Sequence, residues 1–246
     1  MSALFGEQPD FEFRYTLEFE NGTSKEFVLK LDGNTLDLQN EPSPTPPEWT
    51  RLPFSQCSNC PLKDESHCPI ALNLTTFIPE FEDTKSFTTA NVTLVTPQRT
   101  YHKATTVQTA LSAMIGIIMV TSGCPVMDKL RPNVAFHLPF ANIMETTYRS
   151  VGMYLTAQAI RKMRGKEPDW DMAGLMKIYE GVSHVNKGMA DRVKEASTTD
   201  SGANAIVILN AFGDSISIMV ETQLEALENY FKALVDGDAE AEDPGA

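Results

Sequence analysis

Alternation of apolar and polar residues near the N-terminus predicts a β-hairpin over residues 11–38. Every second residue from Phe11 to Phe19 is aromatic or aliphatic, and the alternation resumes from Phe27 to Leu31, as in strands with one buried face. We expect a three-residue loop from Asn21 to Thr23. That loop sets Leu17 opposite Phe27 and keeps the apolar side chains on one face, which a two-residue turn would not do.

Two irregular stretches follow this hairpin before a second one. Residues 39–48 hold four prolines, which is typical of an extended connector, and residues 53–74 hold three of the four cysteines. A second strand pair is predicted at 92–96 and 100–103, turning through Pro97. This pair can extend the first hairpin into one antiparallel sheet.

After residue 105 the spacing of apolar residues becomes helical. Val107 to Ser122 is apolar on nearly all sides, which predicts a central buried helix ending at Gly123. Asn142 with Glu145 three residues later predicts the start of a second helix, and Asp169 caps a third. A fourth is predicted from about 203 to 234. The residues expected to be buried are Met144, Tyr148, Val151, Leu155 and Ala159 in the second helix; Met172, Leu175, Tyr179, Val182, Asn186 and Met189 in the third; and Leu209, Phe212, Ile216, Met219, Leu224, Leu227 and Phe231 in the fourth.

Together these elements predict an α+β protein in one structural unit. An N-terminal antiparallel sheet of two hairpins with a cysteine knuckle occupies residues 1–104, and a four-helix region at 105–235 packs against it. The remaining residues, 236–246, hold five acids and no base, which indicates a disordered acidic tail.

Charge narrows the range of partners. The formal net charge is −13, and it stays negative without the tail, so the protein repels phosphate backbones and anionic lipid. The one basic cluster, 161–166, suits the end of a helix. The N-terminus has no secretory signal, and 107–120 is too short to span a bilayer. We therefore expect a cytoplasmic protein that binds neither nucleic acid nor membrane, with an unknown protein or small molecule as its partner.

The cysteines carry the clearest candidate chemistry. Two residues separate Cys57 from Cys60, Cys68 follows, and 55 residues separate Cys68 from Cys124. Stable disulfides are uncommon in the cytoplasm. Two thiolates from one tight turn, a third from the same loop and a fourth from elsewhere can complete a tetrahedron around zinc. The sequence therefore predicts a structural metal site at Cys57, Cys60, Cys68 and Cys124.

Several alternatives to a four-cysteine zinc site stay open. The Cys-Pro steps at Cys60, Cys68 and Cys124 are also common at iron–sulfur ligands. His67 or His137 can replace one cysteine in a mixed site. A reactive thiol pair, or no site at all, is compatible with the same spacing.

Four segments of the middle region together resemble a known family. They are LPFSQCSNCPLKDESHCPIAL at 52–72, SGCPVMDKLRP at 122–132, FHLPF at 136–140 and ETTYRS at 145–150. In this pattern the chain resembles an uncharacterised bacterial family of unknown function. The resemblance covers roughly residues 50–185 and implies no mechanism; it implies only that the Cys57–Cys68 stretch and Cys124 belong to one pattern.

Three functional hypotheses follow. The first is a non-catalytic binding or interaction module whose loop is stabilised by zinc. The second is a redox protein with an iron–sulfur cluster or a reactive thiol pair. The third is an enzyme or ligand binder with a pocket between sheet and helices, in which His137, Glu145, Tyr148 and Arg149 are candidate polar groups.

Overall fold

The computed structural model describes residues 8–196, 204–207, 209–211, 213 and 224–236. The strands are β1 (Phe11–Phe19), β2 (Ser24–Leu31), β3 (Thr89–Val95) and β4 (Thr100–Thr106). The helices are α1 (Pro69–Leu74), α2 (Val107–Thr121), α3 (Arg131–Ala135), α4 (Ile143–Met163), α5 (Ala173–Ala196) and α6 (Leu224–Val235), with short 3₁₀ turns at Glu48–Thr50, Ile78–Phe81 and Met127–Leu130. Residues 204–207, 209–211 and 213 are also helical. The α+β class is confirmed.

The four strands form one antiparallel sheet in the order β2-β1-β3-β4, so the second hairpin does extend the first. The first hairpin differs in register: Leu17 pairs with Lys25 rather than with Phe27. Its loop is residues 20–22, closed by a 2.9 Å bond from Phe19 N to Thr23 O. The last loop position needs a positive φ, and Gly22 supplies it at 83°. The predicted loop would have put the β-branched Thr23 there, which explains the two-residue shift.

Helix α2 lies at the centre of the core. It begins directly after β4, where Val107 N donates to Thr88 O at 2.8 Å, and Gly123 follows its end with a φ of 82°. Most of its side chains are buried, which agrees with the all-round apolar pattern. The sheet contributes the other side of this core through Tyr15, Leu17, Leu29, Leu31, Val92 and Leu94.

Helix α4 starts as predicted but buries a different face. Asn142 Oδ1 accepts from Glu145 N at 2.9 Å, and Glu145 Oε2 accepts from Asn142 N at 2.7 Å, so the capping box is confirmed. Met144 and Tyr148 are 40% and 55% exposed, however, while Val151 is buried. Leu155 is half-buried and Ala159 is exposed. The predicted stripe is therefore wrong except at its centre.

The buried face of α4 is mostly polar: Thr147, Ser150, Tyr154 and Gln158 point inward with Val151. Their polar atoms have partners. The hydroxyls of Ser150 and Tyr179 lie 2.6 Å apart, Tyr154 OH donates to Asp169 Oδ2 at 2.7 Å, and Gln158 Oε1 accepts from Asp169 N at 2.9 Å. Polar side chains can be buried here because each hydrogen bond offsets the loss of water.

Helix α5 follows its predicted pattern closely. Leu175, Tyr179, Val182, Asn186 and Met189 are all buried, while Met172 precedes the helix and is half-buried. Asp169 Oδ2 accepts from Gly174 N at 2.7 Å, so its carboxylate does cap the first turn, although α5 begins at Ala173 and not directly after Asp169.

The predicted fourth helix is only partly described. Leu209 lies on helical residues, and Leu224, Leu227 and Phe231 lie in α6. Phe212, Ile216, Met219 and the tail at 237–246 lie outside the described residues. No helix within the described ranges is long and apolar enough to cross a bilayer.

Candidate functional site

The turn that carries Cys57 and Cys60 rests on α5. Cys60 N donates to Cys57 O at 3.0 Å, which closes the turn. Asn59 Nδ2 donates to the Gly181 carbonyl at 2.9 Å. Near the middle of the helix, a Cβ placed on Gly188 would lie 2.9 Å from Cys57 Sγ. The turn therefore approaches the α5 backbone more closely than a larger residue at 188 would allow.

Cys68 is tied to the segment just before that turn. Its amide donates to Thr50 O at 2.8 Å, and Leu52 N donates to Ser66 O at 3.0 Å. Cys68 is also the residue before α1, whose first position is Pro69. Since proline cannot donate and has a fixed φ, it suits the first turn of a helix. These bonds hold Cys68 beside residues 50–52.

Arg192 of α5 binds the same segment, residues 49–52, through its side chain. Its side chain is 1% exposed. Nη1 donates to Trp49 O at 2.6 Å and to Arg51 O at 2.8 Å, and Nη2 donates to Leu52 O at 2.9 Å. One buried guanidinium therefore satisfies three backbone carbonyls within four residues of the loop.

Cys124 comes from a distant part of the chain but reaches the same helix. It follows Gly123 at the end of α2, and Val126 lies just beyond it. A Cβ on Gly181 would lie 3.4 Å from Val126 Cγ1 and 3.4 Å from Asn59 Nδ2. The Cys57–Cys60 turn and the segment after Cys124 therefore meet over one glycine of α5.

The four thiols affect one another electrostatically. Burial raises the pKa of Cys57 to about 12, and the sulfurs of Cys68, Cys60 and Cys124 contribute in the same direction. Burial likewise raises the pKa of Cys124, although the amides of Met127 and Val126 oppose that shift. Without a cation the thiols of Cys57 and Cys124 are therefore protonated and uncharged at neutral pH.

The predicted metal site stays a prediction. In the described part of the chain, no group of three or more His, Cys, Asp or Glu side chains is arranged to hold a metal ion, and all four cysteines are free thiols. His67 Nδ1 lies 2.8 Å from Ser66 Oγ and His137 is engaged elsewhere, as described next. The four cysteines share a neighbourhood, but their sulfur atoms do not surround one point.

A cavity of about 420 Å³ lies on the other side of α5, among α2, α3 and α4. Most of its wall is apolar. The apolar lining residues are Ala113, Gly116, Ile117, Val120, Met127, Leu130, Val134, Leu138, Phe140, Ala141, Val182, Leu209 and Gly213. Ten polar residues complete the lining: Lys103, Thr109, Ser112, Asn133, His137, Asn142, Thr146, Arg149, Tyr179 and Asn186.

His137 forms part of this cavity and is bonded to the sheet. A 2.8 Å hydrogen bond joins its Nε2 to Tyr15 OH, and its ring stacks on Phe13 with centroids 5.4 Å apart. Burial lowers the pKa of His137 to about 3, and the nearby charge of Arg149 adds to this effect. The imidazole is therefore neutral at physiological pH.

Arg149 is the charged group of the cavity wall. Nη2 donates to Asn133 O at 2.7 Å, whereas its Nε is buried without a hydrogen-bond partner. Burial lowers the pKa of Arg149, and the side chains of Tyr179, Tyr101 and Glu145 oppose that shift. Among the described residues, no carboxylate forms an ion pair with it.

The two other candidate polar groups lie elsewhere. Glu145 is held in the capping box, and Tyr148 is on the outer face of α4, with its ring 6.1 Å from that of Phe231. Sequence reasoning missed Asn186 as a site residue, placing it only in the buried stripe of α5. A polar amide among apolar neighbours on that stripe was the available signal.

Comparison of the chain with known proteins identifies its family. A family model described as a domain of unknown function, DUF6901, matches residues 13–232. The chain belongs to this family. Membership confirms that the chain comes from an uncharacterised family, and the match extends beyond the 50–185 range of the motif resemblance. Neither the search of curated proteins nor the search of solved structures found a match.

Proposed function

We propose that this member of DUF6901 is a binding module that holds a small, largely apolar molecule in the cavity beside α5. The observation that carries the proposal is the cavity itself, which has a volume of about 420 Å³ and a mostly apolar wall that also contains polar side chains, among them Arg149, His137 and Asn186. Ligand sites of proteins have this character and a volume of roughly 300–1,000 Å³.

Two buried polar atoms support an occupant. Arg149 Nε and Asn186 Nδ2 both belong to cavity-lining residues, and both lack a hydrogen-bond partner. A buried donor left unpaired costs on the order of 1–3 kcal/mol. A bound molecule that accepts from them would recover that cost.

The test is binding of a neutral fluorescent naphthalene probe, N-phenyl-1-naphthylamine, to the purified protein. We expect saturable binding at one site per chain. Ala113→Phe, which fills the cavity from α2, should weaken it at least tenfold. Ala157→Phe on the exposed face of α4 is the matched control and should bind as the natural protein does. No saturable binding, or binding that Ala113→Phe leaves unchanged, would overturn the proposal.

We propose in addition that the four cysteines bind one metal ion, with zinc as the first candidate and an iron–sulfur cluster as the alternative. Two observations support this: the Cys57–Cys60 turn and the segment after Cys124 meet over Gly181 of α5, and Cys60, Cys68 and Cys124 are near enough to Cys57 to raise its pKa. Thiolates bind metal in the deprotonated form. A cation would reverse the upward pKa shift and could draw the four sulfurs together, which makes the site a structural clamp between the 57–68 loop and the end of α2.

Elemental analysis of anaerobically purified protein tests the metal proposal. We expect one zinc per chain, lost in Cys57→Ser and Cys124→Ser and retained in Ser58→Ala, a change in the same turn that removes no thiol. Brown protein containing iron and sulfide would support the cluster and refute zinc. Metal-free natural protein would refute both.

A further inference from the structure

The cavity wall is positively charged although the protein is acidic. Among the described residues that line it are two basic side chains, Lys103 and Arg149, and no aspartate or glutamate, in a chain whose net charge is −13. We propose that the molecule bound there is an organic anion, a carboxylate attached to an apolar body, and that Arg149 and Asn186 bind its oxygens. This inference rests on the proposed function and specifies its ligand class.

Arg149 gives the strongest reason for an anion. Within the described residues, its guanidinium makes one hydrogen bond, to a neutral acceptor, the Asn133 carbonyl, at 2.7 Å. The acidic side chain nearest to it in sequence, Glu145, accepts from Asn142 N in the capping box. A guanidinium taken out of water without a carboxylate partner is costly, whereas carboxylates pair with guanidinium in well-defined geometry.

Asn186 adds directionality. It is 2% exposed, and its unpaired atom is the amide nitrogen Nδ2. Both unpaired atoms of the cavity wall, Arg149 Nε and Asn186 Nδ2, are therefore donors. An ionised carboxylate is purely an acceptor and has two oxygens. An amine or an alcohol would bring donors of its own and would leave the guanidinium charge uncompensated.

The rest of the wall excludes a simple inorganic ion as the preferred ligand. The side chains of Ile117, Val120, Leu130, Val134 and Val182 face the cavity, and they gain only from contact with apolar surface. Lys103 Nζ lies 5.8 Å from the centre of the Phe140 ring, so the second cation already interacts with an aromatic face of the wall. Free phosphate would use Arg149 and leave most of the volume empty.

Calorimetric titration with decanoate, decanol and decylamine at neutral pH tests this inference. We expect decanoate to bind at least tenfold more tightly than decanol, and decylamine to bind more weakly than either. Arg149→Met should abolish the preference for decanoate over decanol. Arg164→Met, an exposed arginine just after α4, is the matched control and should retain it. Inorganic phosphate should not displace decanoate.

The outcomes separate this inference from the proposed function. Equal binding of decanoate and decanol would refute the anion and leave the cavity proposal intact, whereas binding of neither would refute both. Tighter binding of decylamine, or displacement by phosphate, would also overturn the inference. If Arg149→Met does not fold, the ¹⁵N resonance of Arg149 Nε in the natural protein provides the test: decanoate should shift it and decanol should not.

Discussion

Arg192 offers the sharpest test of how the cysteine loop is held. The change is Arg192→Met, which keeps an unbranched apolar chain but removes the guanidinium. Three backbone carbonyls, those of Trp49, Arg51 and Leu52, lose their donors in a site where Arg192 is 1% exposed. Hydrogen bonds to a charged donor contribute about 1.5–3 kcal/mol each.

Methionine recovers part of this loss through apolar contact, and the guanidinium no longer has to be desolvated. We therefore expect the free energy of unfolding to fall by about 3–5 kcal/mol, the range for breaking a buried charged network. That is a large share of the roughly 5–15 kcal/mol by which domains are stable. Urea unfolding followed by circular dichroism measures it.

The control is Lys194→Met, an exposed cation two residues further along α5. Such surface changes usually alter stability by less than about 0.5 kcal/mol. If Arg192→Met also stays within about 1 kcal/mol of the natural protein, the three bonds do not anchor the loop, and the account of how Cys57 and Cys68 are positioned is wrong.

Contacts elsewhere in the protein give three further predictions. Gly188→Ala should lower the free energy of unfolding by about 1–3 kcal/mol, because its Cβ would lie 2.9 Å from Cys57 Sγ. Gly152→Ala, which has open space around its Cβ, should raise the free energy of unfolding by about 0.5–1 kcal/mol. Urea unfolding measures both changes. Asp169→Asn should destabilise the protein at neutral pH, since Tyr154 and the Gly174 amide lower the pKa of the carboxylate. The difference in melting temperature between the natural protein and the variant should be fully present above about pH 3.9, the pKa of an unfolded aspartate, and should disappear as the pH falls through the lower pKa of the folded state. The imidazole signals of His137, whose pKa is about 3, should not move in NMR spectra between about pH 8 and pH 5.

Each of these has a clear contrary result. Equal stabilities of the two alanine variants would mean that the 57–60 turn does not rest on α5 as described. Asp171→Asn, at an exposed neighbour, is the matched control for the loss of one carboxylate. A melting difference for Asp169→Asn that persists at low pH would refute the ionic explanation. A His137 titration near 6.5 would place its ring in water.

Local chemistry made several elements predictable. The capping box at Asn142 and Glu145 and the stop at Gly123 depend on residues close in sequence, and both occur as expected. The hairpin loop was also a local question, yet the prediction missed it by one position. The alternation of apolar residues showed correctly that the loop has three residues. The need for a positive φ at Gly22 determines which three residues they are.

The face of α4 could not be read from its own sequence. Hydrophobicity favoured Met144 and Tyr148 as buried residues, but the groups opposite the helix are polar ones, Tyr179 and Asp169, supplied from other parts of the chain. Polar residues at Ser150 and Tyr154 are buried because those partners satisfy them. The same limit applies to the cavity, since a space between helices has no signature in any one of them.

Helix α5 contacts the cysteine-bearing loop with one face and the cavity with another. At 3.6 residues per turn, Gly181, Gly188 and Arg192 fall on one side of the rod, against the cysteine-bearing loop. Tyr179, Val182 and Asn186 fall about a third of a turn away, against the cavity. Rotating or sliding this single rigid element displaces both sets together. Any coupling between the two faces is reciprocal: if modification of a thiol changes the binding free energy of a ligand in the cavity, that ligand changes the free energy of the modification by the same amount.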